Sequence, residues 1–488
     1  MITDEIKYQI IQQFGFAPTS EQSNALELFA SFLTDRDSRS VMILRGSAGT
    51  GKTSLAGAIV RAMVRMQQKV MLLAPTGRAA KVFSLNSDHT AYTIHRRIYR
   101  EKVYEGLNGQ FNLNVNRYQD MLFMVDEASM INKLSSSANG KGGFGSGSLL
   151  DDLVKFVYSG KNDRMLLIGD KAQLPPIGEM VSPALNGDVL AGYGLKVYEC
   201  DLNEVLRQGE ESGILYNATT IRRMISDELV EWVGGSLPNI KFQGFADIVS
   251  VPGNELIESL NSSYSEVGLD ETMVITRSNK RANIYNQGIR NTVLDREDIL
   301  TSGDMLMVVK NNYYWTEQLN DKDSPLPFIA NGDRARVRRV RNERELYGFH
   351  FADVLLEFPD YDNYEMQLTI IMDSLTTEAP SLSNEQTEEL YNKVMEDYSD
   401  IPLKKDRLNK LRQDDYFNAL QVKFAYAITC HKAQGGQWSH VYIDQGYMTE
   451  EMLTPDYIHW LYTAFTRATD KLFLVNWPKQ QTVGEINQ

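Results

Sequence analysis

Short apolar runs along the chain each end abruptly at polar or glycine-rich residues. In the first half of the chain these runs are Val41–Leu44, Val70–Ala74, Met121–Val125 and Met165–Ile168. Runs of four to six apolar residues without alternation are typical of strands buried on both faces, as in a parallel α/β sheet. Apolar residues recur at helical spacing behind the first run, which predicts an amphipathic helix there. These residues are Leu55, Ile59, Met63 and Met66.

The second half of the chain carries a further set of apolar runs, which predicts a second parallel sheet. These runs are Met273–Ile275, Phe424–Ile428 and Leu472–Val475. The two sets of runs predict two α/β domains, the second of them split by an insertion. We place the domains at 1–205, at 206–295 together with 422–488, and the insertion at 296–421.

Four local patterns lie outside the apolar runs. Within the insertion, residues 330–333 predict a turn, Arg334–Val340 predicts a strand, and Ser383 to Gln386 fits a capping box at the start of a helix. Gly and Ser dominate residues 135–148, which predicts a mobile loop.

Composition and charge narrow the class of protein. A chain of 488 residues is too long for one ordinary core, and its 23% charged and 42% hydrophobic residues exclude a wholly disordered protein. No apolar run approaches the roughly 18 residues of a membrane span, no signal peptide is evident, and cysteine occurs only twice. We therefore expect a cytoplasmic protein. The net charge of −14 argues mildly against a nucleic-acid coat protein, but a nucleic-acid enzyme needs only a local basic channel.

A nucleotide site is predicted at residues 46–53, whose sequence GSAGTGKT matches the P-loop pattern between a predicted strand and a predicted helix. Its glycines allow backbone N–H groups to face phosphate oxygens at a helix N-terminus. Lys52 is expected to neutralise the β- and γ-phosphates, and the Thr53 hydroxyl to bind Mg²⁺. The predicted cofactors are ATP and Mg²⁺, and the predicted ATP-binding residues here are Gly46, Ser47, Ala48, Gly49, Thr50, Gly51, Lys52, Thr53 and Ser54.

An acidic pair follows the run Met121–Val125, at the end of a predicted strand. Phosphoryl transfer needs a carboxylate for the metal ion and a base that orients the attacking water. We assign the first role to Asp126 and the second to Glu127.

With this P-loop and this acidic pair, the sequence resembles the RecD/Dda-like DNA helicases of superfamily 1, the branch that usually moves 5′ to 3′. Further motifs in the family's order cover most of the chain. They lie at residues 18–22, 74–80, 93–95, 126–129, 169–176, 202–208, 429–435 and 462–468.

The resemblance implies further roles at the nucleotide. Gln22 would read the purine edge, and Gly435 would lie against ATP. Gln173 would sense the γ-phosphate and couple it to DNA. Arg207 and Arg467 would contact the γ-phosphate, with Arg467 acting as an arginine finger, because guanidinium groups stabilise the charge of the transferring phosphoryl group.

The resemblance also implies contacts with single-stranded DNA at Pro75, Thr76, Thr93, His95, Thr429 and His431. Short neutral donors suit phosphate contacts that must be made and released at each step. The two histidines are expected to stack on the strand or to hydrogen-bond to it, although ordinary structural histidines would fit the same pattern.

Two insertions resemble accessory parts of the family. Residues 97–118 predict a hairpin that resembles a strand-splitting pin, with Phe111 as a stacking residue. The insertion at 296–421 resembles an SH3-like barrel with a helical extension. On its first strand, Arg334, Arg336 and Arg338 share a face, which is either DNA-facing or a plain solvated edge. The expected fold class is α/β, with two RecA-like parallel-sheet domains that carry these two insertions.

The leading hypothesis is a monomeric, ATP-dependent DNA helicase that moves 5′ to 3′ on single-stranded DNA and unwinds duplex at junctions by ATP hydrolysis between the two domains, with no membrane partner. A regulatory ATPase that switches partner affinity without unwinding is one alternative. An RNA helicase is another, because the reader of the 2′-hydroxyl cannot be identified in the sequence. A nuclease finds no support, since no metal-ligand cluster remains once the ATP site is assigned.

Overall fold

The computed structural model describes residues 2–101, 111–134, 145–204, 211–226, 238–319, 325–326, 328–449, 452 and 454–483. In these residues the chain forms two parallel sheets, a closed five-stranded barrel and a two-stranded hairpin. The predicted fold class is therefore confirmed: two RecA-like sheets, with a hairpin inserted in the first domain and a barrel inserted in the second.

The first domain is built on a six-stranded parallel sheet. Its strands are β1 (Ser40–Gly46), β2 (Lys69–Ala74), β3 (Ala91–Thr93), β6 (Met121–Val125), β7 (Arg164–Gly169) and β8 (Lys196–Leu202). Their spatial order is β3–β2–β6–β7–β1–β8. Alternate residues of one strand enter cores on opposite faces: Met42 and Leu44 pack on one side, and Val41 and Ile43 on the other. Burial on both faces explains why these strands read as continuous apolar runs.

Helices cover both faces of this sheet. They are α1 (Ile2–Phe14), α2 (Ser20–Leu33), α3 (Lys52–Arg65), α4 (Gly77–Ser87), α5 (Ile94–Ile98), α6 (Leu149–Tyr158) and α7 (Gly187–Ala191). Leu55, Ile59 and Met63 of α3 are buried, as the helical spacing predicts.

The predicted hairpin is present as an antiparallel pair of short strands, β4 (Tyr99–Glu101) and β5 (Phe111–Leu113). The turn between them, residues 102–110, lies outside the described residues. The same holds for most of the Gly/Ser-rich segment, residues 135–144, and for Arg207.

The second domain is built on a five-stranded parallel sheet in the order β16–β10–β17–β18–β9. Its strands are β9 (Ile248–Val251), β10 (Thr272–Thr276), β16 (Ala427–Thr429), β17 (Trp438–Asp444) and β18 (Ala468–Val475). Its helices are α8 (Gly213–Ser226), α9 (Leu256–Glu266), α10 (Asn279–Gly288), α14 (Cys430–Ala433) and α15 (Pro455–Phe465).

The barrel lies between β10 and β16 in the chain. Its strands are β11 (Met305–Val308), β12 (Arg334–Leu346), β13 (Phe349–Phe358), β14 (Tyr364–Ile371) and β15 (Leu420–Phe424), and its helices are α11 (Tyr314–Leu319), α12 (Asn384–Asp397) and α13 (Lys404–Arg412). The predicted capping box is present, because Ser383 and Gln386 exchange side-chain and backbone hydrogen bonds at the start of α12. One π-helical turn and several 3₁₀ turns complete the fold: Ile289–Val293, Ala128–Met130, Pro183–Leu185, Pro359–Tyr361, Met372–Leu375 and Lys479–Gln481.

One predicted strand is wrong. The apolar run Phe424–Ile428 is not a single strand of the parallel sheet, because Phe424 ends barrel strand β15 whereas Ala427 begins β16. The side-chain oxygen of Asn286 accepts hydrogen bonds from the N–H groups of both Tyr426 and Ala427, at 3.0 and 2.7 Å. The run is continuously apolar because it is buried both in the barrel and in the second parallel sheet. The buried Asn286 amide fixes the point where the chain passes from the barrel to the sheet.

Two of the three arginines at the start of β12, Arg334 and Arg336, contact the second domain, whereas Arg338 is exposed. Arg334 is 4% exposed and its guanidinium donates to the backbone oxygen of Asp270 at 3.2 Å. Arg336 pairs with the Asp270 carboxylate, and Arg338 pairs with Glu357. Arg334 and Arg336 therefore join the barrel to the second domain, whereas the partner of Arg338 lies on barrel strand β13.

No helix within the described part of the chain has the length and apolarity that a bilayer crossing requires.

Candidate nucleotide site and nucleic-acid groove

The P-loop connects β1 to the first turn of α3. Gly49 and Gly51 have φ angles of +79° and +77°, in the left-handed region that favours glycine. The Lys52 ammonium donates to the Ser47 backbone oxygen at 2.9 Å, and the Thr50 hydroxyl donates to the same oxygen at 2.8 Å. The loop is thus curled around its own lysine, with the N-terminus of α3 directed into the cleft.

The acidic pair lies at the end of β6, beside the P-loop. Glu127 has a φ angle of +50°, an uncommon conformation for a residue other than glycine, and the turn brings both carboxylates to the cavity. Burial and the adjacent Glu127 carboxylate raise the pKa of Asp126 above its usual range, whereas Lys52 opposes this shift. A carboxylate that is desolvated in this way gains from a bound cation.

A cavity of about 510 Å³ lies between the two domains and joins these groups. The first domain lines it with the P-loop, the acidic pair and the end of β7, and the second domain lines it with the segments after α14 and α15. Predicted site residues in its lining are Ser47, Ala48, Gly49, Gly51, Lys52, Thr53, Ser54, Asp126, Glu127, Gln173, Gly435 and Arg467. Gly46 and Thr50 lie in the same loop, behind this surface.

Arg467 reaches the cavity from the C-terminal end of α15 and is 2% exposed. Its guanidinium donates to the backbone oxygens of Thr463 and Gly436 at 3.0 and 3.2 Å and to the Thr466 hydroxyl at 3.0 Å. These bonds use three of the five N–H donors of an arginine and fix its plane. The remaining donors suit a phosphate at the P-loop.

The polar groups on the cavity walls suit a nucleotide with bound Mg²⁺. Two buried polar atoms on its walls, Ser47 Oγ and Gln173 Oε1, have no hydrogen-bond partner among the described residues. Buried polar atoms without a partner are expected to meet a ligand or water. Thr53 and Asp126 lie where a cation on the phosphates would need oxygen ligands. The described residues contain no cluster of three or more His, Cys, Asp or Glu side chains that would hold a metal independently.

Gln22 lies behind the P-loop and is 2% exposed. Its side-chain oxygen accepts the Thr19 N–H at 3.0 Å, and its amide nitrogen donates to the Thr50 backbone oxygen at 3.0 Å. The residue therefore holds the start of α2 to the P-loop, and purine reading by Gln22 stays a prediction.

Several of the hydrogen bonds across the cleft fall on one segment of the first domain, Asp170–Leu174. The Thr463 hydroxyl accepts the Leu174 N–H at 2.7 Å, and the Gln434 amide donates to the Leu174 oxygen at 2.6 Å. Gly435 lies close to the first domain: a Cβ built on it would lie 3.1 Å from both Ala79 Cβ and Thr76 Oγ1.

A groove of about 510 Å³ separates α4 and β3 of the first domain from the barrel. Its walls combine aromatic side chains and threonine with both basic and acidic side chains, and they include Tyr92, Thr93, Phe328, Tyr361, Lys81, Arg96, Asp88, Asp360 and Asp362. Aromatic side chains in such a groove are surfaces on which the bases of a single strand can stack.

The predicted DNA contacts lie along the carboxyl edges of the two sheets. Thr76 and Thr93 cap α4 and α5, and each side-chain oxygen accepts a backbone N–H, at 3.2 and 3.4 Å, which leaves the hydroxyl hydrogen for a phosphate. Pro75 directly precedes this cap. Thr429 ends β16 in register with Thr276 of β10.

The two histidines differ in their surroundings. His95 packs its ring 5.6 Å from the Tyr99 ring, and burial lowers the pKa of His95 to about 4, so that it is neutral at pH 7. His431 is exposed on α14. Phe111 lies in β5, and the structure does not describe its side chain.

The sequence interpretation missed the residues that join the domains. His459, Tyr462 and Thr463 are all buried in α15, and all hydrogen-bond to the first domain. The signal was present, because these polar residues lie at i, i+3 and i+4 in an otherwise apolar helix and so share one face.

Family models match two parts of the chain. Residues 17–232 match an AAA domain, and residues 424–475 match the UvrD-like helicase C-terminal domain. These two matches fall on the first domain and on the closing part of the second.

Curated relatives match at low identity. An uncharacterized protein of Methanocaldococcus jannaschii is 24% identical over 93% of this chain and 38% of its own length. The ATP-dependent RecD2 DNA helicase of Deinococcus radiodurans is 23% identical over 93% of this chain and 50% of its own length. The chain thus spans half or less of these two relatives. A solved Pif1 helicase structure, described for DNA unwinding at forked duplex DNA, aligns with a TM-score of 0.47 and 16% identity over 96% of this chain and 95% of that one.

Proposed function

We propose that the chain is an ATP-dependent DNA helicase, similar to the RecD-like helicases of superfamily 1, that moves 5′ to 3′ along single-stranded DNA. The observation that supports this most directly is the shared cavity, where the P-loop of one domain faces Arg467 of the other. A site divided between two domains makes their relative position depend on the nucleotide, which translocation requires.

The residues on each wall have separate tasks in hydrolysis. Lys52 neutralises the β- and γ-phosphates, and Glu127 orients and deprotonates the attacking water. Arg467 stabilises the charge that spreads over the transferring phosphoryl group. Gln173, on the first domain, senses the γ-phosphate. Mg²⁺, held by Thr53 and Asp126, would supply further neutralisation of the phosphates. Arg207 is proposed to bring a second guanidinium group to the γ-phosphate.

Single-stranded DNA is proposed to run along the carboxyl edges of both sheets and through the groove beside the barrel. The threonine hydroxyls and the helix N-termini that they cap can hold phosphates without tight cationic clamps. The hairpin β4–β5 follows the Thr93–His95 contacts directly in the chain, and we propose that it meets the duplex junction. The active unit is proposed to be a monomer.

The first test is ATP hydrolysis measured without nucleic acid and with single-stranded DNA, duplex DNA or RNA. We expect stimulation by single-stranded DNA above the other two. A strand-displacement assay on duplexes with either a 5′ or a 3′ tail then tests direction, with Glu127→Gln protein as the inactive control. Displacement from the 3′ tail alone would overturn the direction. DNA-stimulated hydrolysis without displacement would favour the regulatory ATPase, and stimulation by RNA alone would favour an RNA helicase.

A further inference from the structure

The Tyr462 hydroxyl bridges the two domains at the edge of the ATP cavity. It accepts a hydrogen bond from the Ala48 N–H of the P-loop at 3.1 Å and donates one to the Asp170 carboxylate. The backbone nitrogen can only donate and the carboxylate accepts, so a hydroxyl group satisfies both at once. Burial raises the pKa of Tyr462 well above its usual range, so the phenol keeps the proton that it donates.

Asp170 begins the segment that carries Gln173 to the cavity. The Asp170 carboxylate also accepts the Ala172 N–H at 3.0 Å, and the Asp170 backbone oxygen accepts the Gln173 N–H at 3.2 Å. Tyr462 therefore acts on the turn that sets the position of Gln173. The hydrogen bonds from Gln434 and Thr463 hold the other end of the segment at Leu174.

From this geometry we infer that Tyr462 is a positioning residue that makes ATP hydrolysis depend on DNA. By joining Ala48 to Asp170 from the second domain, it aligns the P-loop with Gln173 only when the second domain is seated on the first. DNA that spans both domains favours the seated arrangement and so completes the site. This inference rests on the proposed DNA-dependent ATPase.

The chain offers a matched control on the same helix. Tyr457 and Tyr462 both lie in α15 and are each 1% exposed. The Tyr457 hydroxyl donates to the Gln445 side chain at 2.6 Å, within the second domain. Replacing either residue by Phe keeps the ring and removes one buried hydroxyl, but only Tyr462→Phe removes a bond across the cleft.

The experiment measures kcat and KM for ATP of wild-type, Tyr462→Phe and Tyr457→Phe proteins, with and without single-stranded DNA. We expect Tyr462→Phe to lower the DNA-stimulated kcat about tenfold, a barrier change of about 1.4 kcal/mol. Its KM for ATP and its hydrolysis without DNA should stay within about twofold of wild type. Tyr457→Phe should keep full stimulation.

Two results for Tyr462→Phe would overturn the inference: an unchanged stimulated kcat, or equal losses with and without DNA. A wild-type protein that DNA does not stimulate would instead overturn the proposed function on which the inference rests. If Tyr462→Phe does not fold, Thr463→Val and Thr463→Ser test the same connection, because the Thr463 hydroxyl accepts the Leu174 N–H. Loss of stimulation in the valine variant and its retention in the serine variant support the inference, and equal stimulation in both overturns it.

Discussion

Gly435 and Gly446 form a natural pair for testing how closely the two domains must approach. Their φ angles are +71° and +70°, so alanine is equally strained at both positions. They differ in what a Cβ would contact. At Gly446 nothing lies within 4 Å, whereas at Gly435 the added carbon would lie 3.1 Å from Ala79 and Thr76 of the first domain.

The magnitudes follow from this difference. Either substitution places an L-residue in the left-handed region and should lower the free energy of unfolding by about 1–2 kcal/mol. Gly435→Ala adds a steric contact across the cleft, and overpacking of this kind costs about 1–3 kcal/mol. Because the contact exists only when the domains are closed, the closed state carries this cost. A penalty of about 1–3 kcal/mol lowers turnover roughly 5- to 160-fold.

The assay compares kcat/KM for ATP at saturating single-stranded DNA with urea unfolding of the same proteins. We expect Gly446→Ala to lose stability and to keep turnover, and Gly435→Ala to lose both. The reasoning is refuted if the two variants hydrolyse ATP equally well. It is also refuted if the turnover of Gly435→Ala is restored merely by lowering the temperature, since the loss would then be one of folded protein.

Further predictions concern the chemistry, the barrel and the hairpin. Glu127→Gln should bind a fluorescent ATP analogue normally and lose most hydrolysis, and normal turnover would remove the role assigned to this carboxylate. Burial raises the pKa of Asp333 to about 7. The protonated Asp333 carboxyl therefore stabilises the folded protein at low pH, and this stabilisation is lost as the pH rises through 7. Asp333→Asn should therefore raise the free energy of unfolding at pH 8 by a few kcal/mol (at most ~4), with the gain vanishing towards pH 4 in urea titrations; an equal gain at both pH values would contradict this. Replacing Gly106–Phe111 by a short Gly-Ser turn should leave DNA-stimulated hydrolysis nearly intact while strand displacement falls at least roughly tenfold; parallel losses would mark the segment as structural.

Local chemistry was predictable where it is contiguous in the chain. The P-loop, the acidic pair and the capping box of α12 each depend on residues within a few positions of one another, and the structure has the loop, the strand end and the cap in those places. The apolar runs predicted the buried strands for the same reason, since burial on both faces of a sheet requires every residue to be apolar. The run Phe424–Ile428 shows the limit of this prediction, because burial alone does not distinguish a strand of the barrel from a strand of the parallel sheet.

The sequence by itself predicted a nucleotide site, the residues of its phosphate loop, and the two parallel sheets that carry it. Only the tertiary structure decided what faces that loop. Tyr462 reaches it from the other domain, and Arg334 and Arg336 at the start of β12 contact Asp270 of the second domain. Contacts between residues hundreds of positions apart depend on how domains pack, and no local spacing rule encodes that packing.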